Sequence, residues 1–253
     1  MSQPFRIFIG YDPHETVAYH VLAHSILRQA NIPVAIIPLS RTNLGRIYTR
    51  ERGATESTEF SITRFLVPYL CGYDGPAVFM DCDMLVQADV AELLLHSVIN
   101  PDKAVVVCQH DYTPGEGTKF LGQPQTAYPR KNWSSVMVFN TEHCRRLTPE
   151  YVNTASGLDL HRFYWAADPL SVRDARDRAE DGMGDLDEIF MDCSAENIGE
   201  LPLEWNHLVG EYGPNADAKN LHWTLGGPWF ADYALAPHAE RWYAERDRML
   251  KAA

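Results

Sequence analysis

Two aspartates one residue apart, Asp81 and Asp83, stand directly behind the apolar run Ala77–Met80 in "AVFMDCDMLV". Alternate side chains of an extended segment share a face, so the two carboxylates project together at the end of a strand. In open α/β sheets, ligands bind outside the carboxyl ends of the strands. Carboxylates held side by side repel each other unless something positive lies between them. A divalent cation is the natural partner: hard, oxygen-seeking and able to bridge to a phosphate. A turn in which either aspartate caps the following amides would explain the pair without any ligand.

The surrounding elements have to deliver this pair. "FRIFIG", Phe5 to Gly10, reads as an apolar strand, and "DPHE" after it as a helix start. Asp12 serves there as N-cap, Pro13 takes the first helical position and Glu15 reaches back. Val17, Val21, Leu22 and Ile26 recur at helical spacing down to about Gln29, and "VAIIPL", Val34 to Leu39, reads as a second strand. This strand–helix–strand start predicts a parallel sheet. The polar stretch from Ser40 to Ser61 is long enough to be a functional loop. Helical spacing resumes over Ile62–Leu70 and Val90–Leu95, and further strands are expected over Ala104–Cys108 and Trp133–Phe139. Thr148 to Gly184 is polar and helical in character. One amphipathic helix is expected over 237–253, docked through Trp242 and Leu250. With no repeat and no clean linker, residues 1–253 are expected to form one domain.

Composition narrows the function. A formal net charge of −12 argues against nucleic acid, whose phosphates demand a basic surface, but leaves room for a local basic pocket that takes a phosphorylated small molecule. The five cysteines show no CxxC pair or zinc spacing, which suits a reducing compartment. The apolar stretch near the start is too short for a signal peptide, and no segment reaches the roughly 20 apolar residues of a membrane span. A cytoplasmic protein is expected.

An Asp-x-Asp pair after an apolar strand is also the nucleophile motif of haloacid dehalogenase-type phosphatases. Those enzymes usually carry Thr or Val where this chain has Leu85, and they need a later lysine and a paired acidic motif. The longer segment "SITRFLVPYLCGYDGPAVFMDCDMLVQADVAELL" resembles the centre of the family 8 glycosyltransferases, the glycogenin and bacterial galactosyltransferase group. "IFIGYD", "NWSSVMVFN" and "LHWTLGGPWF" are similar to further elements of that family, in the same order. The resemblance implies a GT-A fold: α/β, Rossmann-like, with a mixed, mostly parallel central sheet. It implies retaining transfer of a hexose from a UDP-sugar to a hydroxyl acceptor, a glycan or glycolipid.

By the same resemblance, Asp81, Asp83 and His222 would hold the metal, a donor set that suits Mn²⁺ better than Mg²⁺. Gly10, Tyr11 and Asp12 would meet the nucleoside. Cys82, between the two aspartates, would also take part in donor binding. Arg64 would lie near the diphosphate or hold an aspartate in place, and Ser134 and Ser135 would let the sugar approach the backbone. The family's lysine beside its last Pro-Trp is missing, which leaves the diphosphate to the amides of Gly226 and Gly227 or to an arginine elsewhere. The acidic element that touches the donor sugar is best matched by "GDLDEIF", where Asp187 is favoured over Asp185 and Glu188. Acceptor choice is expected in Tyr112–Lys131 and Ser156–Gly184. Arg241, Arg246, Arg248 and Lys251 could form a weak basic edge for peripheral membrane contact.

Two other classes remain open. A nucleotidyltransferase that makes sugar nucleotides would want a Gly-rich basic loop after the first strand, but "GYDPHETVAYH" has one glycine and no Lys or Arg. A non-catalytic sugar- or nucleotide-binding module would not need both aspartates and His222.

Overall fold

The computed structural model describes residues 3–53, 56–111, 129–168, 173, 177 and 185–251, without the side chains of 186 and 187. The chain opens with β1 (Phe5–Gly10), α1 (Thr16–Gln29) and β2 (Val34–Leu39), then α2 (Val67–Leu70), β3 (Pro76–Met80) and β4 (Met84–Val86). It continues through α3 (Ala91–Ile99), β5 (Val105–Val107), β6 (Val136–Asn140), α4 (Pro149–Thr154) and α5 (Gly157–His161). Last come α6 (Leu186–Ala195), β7 (Ile198–Glu200), β8 (His207–Leu208), β9 (Asn220–His222) and α7 (Ala239–Lys251).

Six strands form the main sheet in the order β2-β1-β3-β6-β5-β7, and β4-β9-β8 form a second, small sheet. β1 is parallel to both β2 and β3, and β5 is parallel to β7. β6 runs antiparallel between β3 and β5. β3, β5 and β6 are apolar and buried along nearly their whole length, as strands covered on both faces must be.

Several expectations need correction. Trp133–Ser135 is a 3-10 turn, and the strand begins only at Val136. The cause is local: Arg130 and Asn132 both take positive φ, which turns the chain before it can extend. Ile62–Leu70 splits into a 3-10 segment, Thr63–Leu66, and the short α2. Val17 lies at 39% exposure, outside the buried face of α1. α7 docks through Ala239, Trp242 and Glu245, while Leu250 faces outward. Residues 112–128, and most of 169–184, expected to govern acceptor choice, lie outside the described residues.

Candidate metal centre

β3 delivers Asp81 to the sheet's carboxyl edge. Met80 is paired with Ile9 on one side and Val136 on the other, so the next residue meets Ser135, whose carbonyl accepts the Asp81 N–H at 3.0 Å. The chain then bends and starts β4 at Met84, opposite His222 of β9. Trp223 N–H bonds the Asp83 carbonyl at 3.0 Å, which locks this register. His222 therefore arrives beside both aspartates: Nε2 is 3.2 Å from Asp83 Oδ1 and 3.9 Å from Asp81 Oδ2. One ligand atom from each of the three residues lies within 4.8 Å of the others.

The charges are poorly matched without a further cation. Asp81 and His222 are buried, and Oδ1 of each aspartate is buried without a hydrogen bond. Arg64 Nη1 stands 2.9 Å from Asp81 Oδ1, an ion pair by distance but not aligned as a hydrogen bond. Burial, followed by the neighbouring Asp83, pushes the Asp81 carboxyl up to about 6 against the opposing pull of Arg64 and His222.

The tautomer of His222 sharpens the point. Its Nδ1 meets Asn206 Oδ1 at 2.7 Å, and the Asn206 amide nitrogen donates to His110 Nε2 at 2.9 Å and to the Asn132 carbonyl at 3.2 Å. Burial holds the His110 imidazolium pKa down at about 4, so its ring is neutral at pH 7 and Nε2 can accept. His110 Nδ1 then faces the Tyr212 hydroxyl at 2.7 Å. With Nδ1–H of His222 donated to Asn206, Nε2 is left with a lone pair 3.2 Å from Asp83 Oδ1, and the two are not aligned as a hydrogen bond. Two acceptor atoms 3.2 Å apart repel each other, and a positive species shared between them relieves that repulsion. Ligands side by side around an ion with bonds of roughly 2.1 Å stand about 3 Å apart, so the donor set fits a divalent metal.

The other singled-out residues divide into those at the cluster and those elsewhere. Arg64 is buried on Phe79 (4.8 Å to the ring centre) and donates to the carbonyls of Ser134 at 2.8 Å and Phe60 at 3.2 Å. Ser134 and Ser135 are buried, and the Ser134 hydroxyl is 2.8 Å from His161 Nδ1. Asp12 is engaged in the turn: its carboxylate accepts His14 N–H at 2.9 Å and Glu59 N–H at 3.2 Å. The Tyr11 hydroxyl is 3.1 Å from that of Thr16. The space where a side chain of Gly10 would stand is filled by the Phe60 ring. Gly226, at φ +123°, follows His222 closely, with the Tyr233 ring packed over it, and Trp229 covers Gly227 in the same way. Asp185 is exposed just before α6, while Asp187 lies on α6 with its side chain outside the described residues.

Glu15 departs from the sequence reading. It does not reach back to cap α1 but lies buried, its carboxylate 3.6 Å from Cys82 Sγ. Burial first, then Asp83 and Asp12, push its pKa well above the usual carboxylate range. Sequence reasoning also missed Asn206, His110 and Tyr212. His110 carried a usable signal, since it follows the buried β5 as Asp81 follows β3.

No family model matches the chain. Solved structures share its fold. The bifunctional glycosyltransferase WbbM is 17% identical with a TM-score of 0.52, over 97% of this chain and 52% of that one. GlyE of Streptococcus pneumoniae TIGR4 is 11% identical with a TM-score of 0.55, over 99% and 63%. The galactosyltransferase LgtC, solved with donor and acceptor sugar analogues, is 11% identical with a TM-score of 0.51, over 96% of each chain. This chain thus spans about half the length of the WbbM chain. The fold is that of the GT-A glycosyltransferases, α/β with a mixed, mostly parallel sheet. Protein CDI of Arabidopsis thaliana is 42% identical over 259 residues, 99% of this chain and 89% of the relative. The chain belongs to the family of Protein CDI.

Proposed function

We propose that this protein is a metal-dependent glycosyltransferase that moves a hexose from a UDP-sugar to a hydroxyl of a glycan or glycolipid, with retention. The observation that carries this reading is the Asp81–Asp83–His222 cluster at the carboxyl end of β3 in a GT-A fold. Two carboxylates and an imidazole favour Mn²⁺ over Mg²⁺. The bound ion would act as a Lewis acid, offsetting charge on the leaving diphosphate.

The chain's own groups supply the rest. Arg64, held by two backbone carbonyls, keeps Asp81 turned toward His222. In this reading Tyr11 and Asp12 meet the nucleoside, and the backbone beside Gly226 and Gly227 faces the diphosphate. Ser134 and Ser135 let the sugar approach closely, and Asp185 or Asp187 contacts it. The acceptor hydroxyl attacks the anomeric carbon from the side of the leaving group while the bond to the diphosphate breaks. Its proton passes to the departing phosphate oxygen through an oxocarbenium-like transition state, so no side-chain base is required. LgtC, which shares the fold and holds donor and acceptor sugar analogues, supports this reading.

Calorimetric titration of UDP with and without Mn²⁺, in wild type and Asp83→Asn, tests it. Binding that needs the metal and is lost in the variant is expected, and UDP-sugars can then be screened by UDP release. Metal-independent binding, or none, would overturn the metal-assisted donor site.

A further inference from the structure

β4 has a second charged site at its other end. Beyond Val86 a cleft of about 260 Å³ opens between α1 and α7, lined by Arg28, Arg241 and Arg248 over Leu85, Val86 and Gln87. At about 3.3 Å per strand residue, Leu85 to Gln87 lie roughly 7–13 Å from Asp83, and none of Asp81, Asp83 and His222 lines the cleft.

Three guanidinium groups converge here in a chain whose net charge is −12. They are held in place. Arg28 Nε donates to both oxygens of Glu245, at 2.9 and 3.1 Å, and Arg248 Nη1 donates to Oε2 at 3.0 Å. Arg241 is anchored separately, through Nη1 to Gln87 Oε1 at 2.9 Å. Glu245 also lies 2.8 Å from His24 Nδ1, and its side chain is only 2% exposed.

One carboxylate faces three guanidinium groups, so the cleft keeps an excess of positive charge. A staple between α1 and α7 would account for Arg28 and Arg248. It does not account for Arg241, which makes no bond to Glu245. Among the described residues, both Nη atoms of Arg28 and the Nη2 atoms of Arg241 and Arg248 have no hydrogen-bond acceptor. Planar guanidinium groups with unused N–H donors match phosphoryl oxygens in charge and geometry.

We propose that this cleft binds a phosphate monoester, the phosphoryl end of a small metabolite or of a lipid headgroup, through Arg28, Arg241 and Arg248. The site needs no metal and does not depend on the glycosyltransferase reading. Inorganic phosphate is titrated calorimetrically, without metal, into wild type, Asp83→Asn and the double variant Arg241→Gln/Arg248→Gln. In parallel, the three proteins are sedimented with phosphatidylcholine vesicles with and without phosphatidic acid. Arg241→Gln alone, which leaves every partner of Glu245 in place, controls for folding through its melting temperature.

Saturable phosphate binding, equal in wild type and Asp83→Asn and weaker by about tenfold or more in the double variant, is the expected result for a small ligand. Capture only by phosphatidic acid vesicles, lost in the same variant, supports the site and makes a headgroup the source. Binding in neither form, or binding that the arginine changes leave intact, overturns the proposal.

Discussion

At one end of β4, Asp81 and Asp83 share a single guanidinium and a single imidazole. Beyond the other end, Glu245 alone gathers Arg28, Arg248 and His24. All these carboxylates are largely withdrawn from water, yet their environments act in opposite directions. Burial and the second aspartate raise Asp81 to about 6. Burial raises Glu245 too, but hydrogen bonds from Arg28, His24 and Arg248 outweigh it and hold the carboxyl below its usual range. A carboxylate with its lone pairs filled fastens two helices together. A pair with bare oxygens is poised to take a cation.

Substitutions at the two clusters should therefore separate ligand binding from stability. Asp83→Asn removes one of two like charges, so Mn²⁺ affinity should fall by more than about 100-fold, beyond the usual reach of changes behind the ligands. Its melting temperature without metal should hold or rise; a clear drop would mean that Asp83 is a structural group. Asn206→Ala frees His222 to turn, and isothermal titration should show Mn²⁺ affinity reduced by about 10–100-fold. Tyr212→Phe, two hydrogen bonds further out, should cost less than Asn206→Ala. An equal loss would mean that the network acts as one rigid unit.

Glu245→Gln should leave metal affinity unchanged and lower stability by about 1–2 kcal/mol in chemical denaturation. That is less than the loss of a fully buried pair, because Arg28 and Arg248 stay partly in water. The smallest effect is its pH dependence. A depressed carboxyl pKa adds stability that is present above the unfolded value, 4.5, and is lost as pH falls through the lower folded value. Wild type and Glu245→Gln should converge in stability as pH drops below 4.5. A gap that persists in acid would assign the effect to packing.

Much of the frame was legible in the chain. β1 and β2 lie where short apolar runs predicted them, and β3 leads into Asp81 and Asp83 as its own apolar run implied. β8 and β9, at two and three residues, are too short for any period to emerge, although β9 carries His222. Trp133–Ser135 read as strand because its composition is strand-like, whereas the left-handed Asn132 just before it is invisible to periodicity. Glu15 read as a capping residue because capping is judged over three positions. Its burial depends on Cys82, 67 residues away.

The division follows from range. A strand that runs into two carboxylates is specified by about ten consecutive residues, since alternation and the aversion of charge to burial act locally. Whether those carboxylates face a cation depends on the β4–β9 register and on Asn206 meeting His110 across 96 residues of sequence. The same holds for three arginines from α1 and α7 converging on one cleft. Hydrogen bonds and charges act over a few ångströms in space, and only folding brings such distant residues that close.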